Sequence, residues 1–282
     1  MIIDIPNAGT IELDILPIDH TKPHEDTIPE LLASVKTDVS RTGFQRDPIL
    51  VDRKTGMVLD GMHRREALVQ LGAKYVVCTL LDYESENVSL SRWLRYFVAP
   101  PKKMLGELIE LFDLMQVTSL KEAMSSVDKT PGLISLLSNR TCYLGEEKMD
   151  PELLYEKIKE SDIIARSNSV EVQVIRESER FDVFSSEAVY VIYPPPLRKE
   201  DVVKIALNGS LLPFKTTRHT VRVRPMGVHF PILGLIEKGL AENQRDLKEL
   251  TDSARIEMAE KETWYEGRKY AEPLAIFRRK GV

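Results

Sequence analysis

Asp60-Gly61-Met62-His63-Arg64-Arg65 puts a carboxylate, a glycine, an imidazole and two guanidiniums into six consecutive positions, where an apolar run stops. A helix starting there would offer unpaired backbone amides and a partial positive charge, which together favour phosphate. Gly61 would let the backbone come close to a ligand. His63 and Arg64 add donors, and an arginine can grip two phosphate oxygens at once. Asp60 cannot hold an anion itself; its open partners are magnesium, a ribose hydroxyl or the histidine. The stretch is short, and a capped helix with two surface arginines accounts for its spacing about as well.

A strand and a helix must hold these residues in place. PILVD at 48–52 reads as a short buried strand, RKTG as a turn and MVLD at 57–60 as the returning strand, which makes a hairpin. The helix expected over 62–71 has Ala67, Leu68 and Leu71 on one face and Gly72 as its stop. TIELDIL at 10–16 alternates like a strand, 28–42 carries apolar residues at helical spacing behind Pro29, and YVVCTLL at 75–81 is a further strand. These elements suggest a compact unit over residues 1–97. The APP break at 99–101 follows it, and 98–282 is expected to form a second, mixed α/β part. Helices are expected there at 102–115, 118–127, 150–161, within 193–213 and over most of 231–263. Strands are expected at 170–176, 188–193, 216–225 and 273–277.

The chain has 282 residues, 43% of them hydrophobic and 29% charged, enough to bury a core in one large or two modest domains. A net charge of −5 gives no basic surplus, so nucleic acid is an unlikely partner. Cys78 and Cys142 lack metal-ligand spacing, and Cys78 lies in an apolar run as a core residue would. Early acidic residues rule against a signal peptide, and no stretch approaches the roughly 20 apolar residues that span a bilayer. A cytoplasmic protein is expected.

FQRDPILVD…MVLDGMHRREALVQLGAKYV resembles the ParB/sulfiredoxin-like fold, which carries a nucleotide-phosphate pocket at a strand–G-x-H-R–helix corner. Three branches of that superfamily offer different chemistry. Sulfiredoxins have a catalytic cysteine just before the His-Arg pair; here Met62 stands there, so the nucleophile is missing. Partition-type ParB proteins are nucleotide-dependent DNA clamps with a helix-turn-helix domain, and no clear one follows residue 97. The third branch is the free L-serine kinases, which make O-phospho-L-serine from ADP or ATP.

Further segments resemble that third branch. PHEDTIP at 23–29 places Glu25 on the family's catalytic glutamate. SLSRW at 89–93 ends in Trp93, at the position of a substrate-site tryptophan. The stretch YPPPLRKEDVVKIALNGSLLPFKTTRHTVRVRP is the most specific match, and its KTTRH core carries Thr217 and His219 where the family binds the amino acid.

The resemblance implies an α/β protein with a ParB/sulfiredoxin-like nucleotide-binding domain and a second part completing the substrate cleft. It implies a kinase feeding phosphoserine-dependent routes such as cysteine synthesis. Asp60, Gly61, Met62, His63 and Arg64 would bind the nucleotide, and Trp93, Thr217 and His219 the serine. Glu25 would be the base, with Asp26 and Glu30 as nearby rivals separated only by the match. Magnesium is implied, with its ligands unassigned. ADP is the preferred donor, with ATP open. The rivals are a ParB-like nucleotide-dependent DNA-binding or regulatory protein, and a nucleotide-binding module that has lost its activity.

Overall fold

The computed structural model describes residues 1–5, 9–184 and 188–278. The chain forms two compact units. One comprises Met1–Ser89, Ala206–Leu211 and His219–Val282; the other comprises Leu90–Ile205 and Leu212–Arg218.

The first unit begins with β1 (Ile2–Ile5) and β2 (Gly9–Pro17), followed by α1 (Pro29–Thr42), β3 (Phe44–Gln45) and β4 (Ile49–Asp52). Then come β5 (Val58–Asp60), α2 (Met62–Gln70) and β6 (Tyr75–Leu81). The sheet runs β1-β2-β6-β4-β5, with β4 parallel to β6 and every other pair antiparallel. Interior strand β4 is buried at every residue, as a mostly apolar run covered on both faces should be. Proline at the first position of α1 loses no helical bond, and Gly43 ends the helix in the left-handed conformation. Ala67 and Leu68 of α2 are buried against this sheet. Each large apolar side chain buried this way contributes about 1.5–3 kcal/mol.

The second unit contains most of β7 (Val88–Val98), then α3 (Lys102–Phe112), β8 (Leu114–Val117), α4 (Leu120–Lys129), β9 (Ser135–Leu137) and β10 (Cys142–Gly145). It continues through α5 (Pro151–Ser167), β11 (Gln173–Arg176), the single turn α6 (Arg180–Val183), β12 (Val189–Tyr193), most of α7 (Lys199–Leu207) and the start of β13 (Thr217–Val221). The sheet runs β11-β7-β12-β9-β10-β8, and β13 also pairs with β7. Adjacent strand residues point to opposite faces. Leu136 and Ile192 accordingly pack with α3 and α5, while Leu137 and Val191 pack with α4. The helix expected over 102–115 ends at Phe112, because Asp113 turns left-handed at φ 51° and sends Leu114–Val117 into a strand.

The chain then returns to the first unit through β14 (Arg224–Met226), β15 (Phe230–Pro231), α8 (Ile232–Glu237) and α9 (Leu240–Asp252). It ends with β16 (Arg255–Ala259), the hairpin of β17 (Thr263–Tyr265) and β18 (Arg268–Tyr270), and β19 (Leu274–Arg278). Val223, Phe230, Leu247 and Phe277 are buried in the same core as Ile49 and Leu68. This shared core is why the division differs from a single boundary at residue 97. The helical reading of 231–263 also stops short: α9 ends at Asp252, and 255–259 is a strand antiparallel to β19.

Candidate active site

The charged corner is built as its spacing suggested. In β5, Asp60 pairs with Leu50 of β4; Gly61 turns at φ 100°, and α2 starts at Met62. A Cβ at position 61 would lie 2.7 Å from Ile49 Cγ2, so only glycine fits both the conformation and the space. The Arg65 amide donates to the Gly61 carbonyl at 2.9 Å, which leaves the preceding first-turn amides without helical partners. Met62 is 8% exposed and belongs to the core, so its contribution to a ligand is its backbone.

The segment carrying Glu25 is fastened to this corner. Lys22 bridges Met57, and the Val58 amide donates to the Lys22 carbonyl at 2.9 Å. His24 Nδ1 lies 2.7 Å from the Val58 carbonyl. The Ile28 amide, at the cap of α1, donates to His63 Nε2 at 3.0 Å. His63 is therefore a neutral imidazole with its proton on Nδ1. Between these anchors, Glu25 is partly buried, its Oε1 3.8 Å from His24 Nε2.

Asp60 sits in an ion network that the sequence did not disclose. Arg224 Nη1 donates to Asp60 at 2.6 Å, and Arg224 Nε donates to Glu272 at 2.6 Å. Arg64 donates to Asp60 at 3.1 Å and to the carbonyls of Asp47 and Pro48. Burial alone would raise the Asp60 carboxyl; Arg224, Arg268 and Arg64 overcome that and hold it well below the usual carboxylate range. Arg224 lies in the VRVRP run, where arginines alternate with valines, the only local sign of an inward-facing cation.

His219 is buried beside this network. Its Nε2 lies 2.9 Å from the Tyr83 hydroxyl, and its ring meets that of His24 edge-on at 5.4 Å. Burial, with His24 alongside, lowers its pKa to about 3, and burial also lowers that of His24. Both rings are neutral at ordinary pH. Asp52 helps to place Tyr83 by accepting its amide at 3.2 Å.

A cavity of about 380 Å³ opens next to the corner, lined by Ser34 and Asp38 of α1, Arg46, Asp47, Arg64 and Glu266, among others. It has room for a small ligand, with Arg64 linking it to the start of α2.

Glu25, Asp60, Gly61, Met62, His63, Arg64 and His219 thus belong to the first unit, while Trp93 and Thr217 belong to the second. There the Trp93 amide donates to the Thr216 carbonyl at 3.1 Å, and Thr217 is 7% exposed. The Lys215 ammonium sits 4.4 Å from the centre of the Trp93 ring, within cation–π range.

Among the described residues no three His, Cys, Asp or Glu side chains converge as a metal cage. A divalent cation here would need most of its ligands from a bound molecule and could take at most one or two carboxylates from the chain. Asp60 is the carboxylate that stands at the start of α2. Among the described residues no helix is long and apolar enough to cross a membrane.

No protein-family model matches the chain. It is similar to an ADP-dependent L-serine kinase of Thermococcus kodakarensis, with 26% identity over 234 residues, 79% of this chain and 92% of that protein. It is also similar to an ATP-dependent L-serine kinase of Staphylothermus marinus, with 24% identity over 79% of this chain and 90% of that one. A free serine kinase solved in complex with AMP superposes with a TM-score of 0.67 at 23% identity, over 80% of this chain and 94% of the other. The mixed α/β fold is therefore shared with the free serine kinases.

Proposed function

We propose that this chain is a kinase that transfers the terminal phosphoryl group of a nucleotide to the hydroxyl of free L-serine, with ADP as the favoured donor. The observation that carries the reading is the fastening of the Glu25 segment to the phosphate corner, through His24 to Val58 and Ile28 to His63. One frame holds a carboxylate beside a helix start able to receive phosphate. The likeness to serine kinases over about four-fifths of the chain supports the choice of acceptor. The match to a kinase named for ADP supports the donor, while the match to one named for ATP keeps the second donor in the experiment.

In this reading the nucleotide lies along the cavity at Arg64, with its phosphates on the amides of 61–64 beside His63. Magnesium, when bound, supplies charge neutralisation on those phosphates. Glu25 takes the proton of the serine hydroxyl as the oxygen–phosphorus bond forms and the bond to the leaving nucleotide breaks. With ADP the products are phosphoserine and AMP. Thr217 and His219 take the amino acid, a role supported by the resemblance of the KTTRH segment. Trp93 is assigned to the serine by the resemblance of the SLSRW segment. The two buried free cysteines agree with a reducing cytoplasm as the site of action.

Phosphorus NMR of the protein with L-serine, magnesium and either ADP or ATP tests this directly. A phosphoserine resonance is expected, accompanied by AMP when ADP is the donor. If neither donor yields phosphoserine, the reading fails.

A further inference from the structure

The β17–β18 hairpin lies against the corner although it is distant in sequence. Its turn residue Glu266 lines the cavity beside Arg64 and is 3.4 Å from Arg46. Tyr270 at its far end is 9% exposed. The Arg224 guanidinium lies 5.8 Å from the centre of the Tyr270 ring, and that of Arg268 lies 4.9 Å from it. Arg224 also donates to Asp60. Tyr270 therefore serves as a platform bringing the Arg268 guanidinium near the Asp60 carboxylate.

One cation here has no carboxylate partner. Asp60 already accepts from Arg224 and Arg64, and Glu272 accepts from Arg224. Arg268 is exposed, and among the described residues it forms an ion pair with no carboxylate. Arg46, Arg64 and Arg224 each pair with a carboxylate of this corner, whereas Arg268 pairs with none among the described residues, next to a helix start that itself carries positive charge. An unpaired guanidinium at such a place suits an anion that the folded chain does not itself supply.

The geometry points to Arg268 as a further phosphate-binding residue, carried by the C-terminal hairpin and closing on the phosphate chain of a nucleoside di- or triphosphate held at the Asp60–Arg64 corner. This rests on the kinase reading for the identity of the ligand. The hairpin is then a wall of the donor site: Glu266 borders the cavity and Arg268 faces the phosphates. Stacking on Tyr270 holds the guanidinium ready before the nucleotide arrives, which reduces the ordering cost of binding.

The test is isothermal titration of the full chain, with magnesium, using ADP and adenosine as probes. Arg268→Ala should weaken ADP binding about 10- to 100-fold, the loss expected for charge-assisted bonds to one guanidinium. Adenosine, which has no phosphate, should bind wild type and variant alike within about twofold. Arg268→Lys should fall between, keeping the charge but losing the paired donors. A purely structural role would change both probes together, and that result overturns the proposal. Unchanged ADP affinity in Arg268→Ala also overturns it, while leaving the kinase reading intact. If wild type binds neither probe, the nucleotide site itself is wrong and both readings fall.

Discussion

Arg95 and Arg224 are equally buried, each 3% exposed, and each is bonded to carboxylate, yet their surroundings differ. In the second unit, the single Nε–H of Arg95 is shared between the two carboxylate oxygens of Asp162 and its Nη2 donates to the Phe214 carbonyl, and Asp162 is itself buried. That cluster is closed and its charges cancel. In the first unit, Arg224 bridges buried Glu272 to Asp60, whose side chain is 26% exposed beside the start of α2. That cluster opens to the surface and carries a further cation, Arg268. A closed pair tells of stability; an open cluster with an unpaired cation tells of a ligand.

The largest effect expected from this contrast is in the closed pair. Arg95→Met leaves Asp162 buried without its partner and should cost about 3–5 kcal/mol in urea unfolding. ADP affinity of the folded variant should stay within about twofold of wild type, since neither Arg95 nor Asp162 belongs to the proposed nucleotide site. A large loss of ADP affinity at full stability would break the comparison.

A smaller effect sharpens the open side. His219 and His24 have lowered pKa values because burial penalises their charged forms. A lowered folded pKa means that the unfolded chain binds the proton first, so this part of the stability is complete above about pH 6.5 and shrinks as pH falls. For His219 the loss should run down to about pH 3 and amount to about 2 kcal/mol between pH 7 and pH 5. Asp60 acts in a lower window: its contribution is present above about pH 4 and is lost as pH drops through its depressed value. Urea unfolding from pH 7 to pH 4 should show this decline, and His219→Gln should flatten it. A wild-type profile flat down to pH 5 would contradict the neutral buried pair.

Much of the first unit was legible because its signals are local. The alternation of 10–16, the hairpin at 48–60 and the Gly61 turn each need only neighbouring residues. The partners of the corner were less legible, because Arg224, Tyr83 and Glu272 reach it through the fold and leave almost no local mark. The strand at Arg255–Ala259 was hidden for a different reason. Its side chains are mostly exposed, so the apolar alternation that marks a strand is weak, and its charges continued the helical pattern of α9. The exposed character of Arg268 hid it as well: a lone surface arginine has no signature until Tyr270 and Asp60 are seen beside it. Glu25 could be singled out only through family resemblance, since spacing alone did not separate it from Asp26 and Glu30.

The central claim is that Glu25 removes the serine proton at a site whose nucleotide it does not bind. Phosphoserine formation by Glu25→Gln, followed by phosphorus NMR with ADP affinity measured in parallel, tests it most directly. The rate should fall by about 10²–10⁴ while ADP binds within about twofold of wild type. A variant that makes phosphoserine at nearly the wild-type rate would contradict the account.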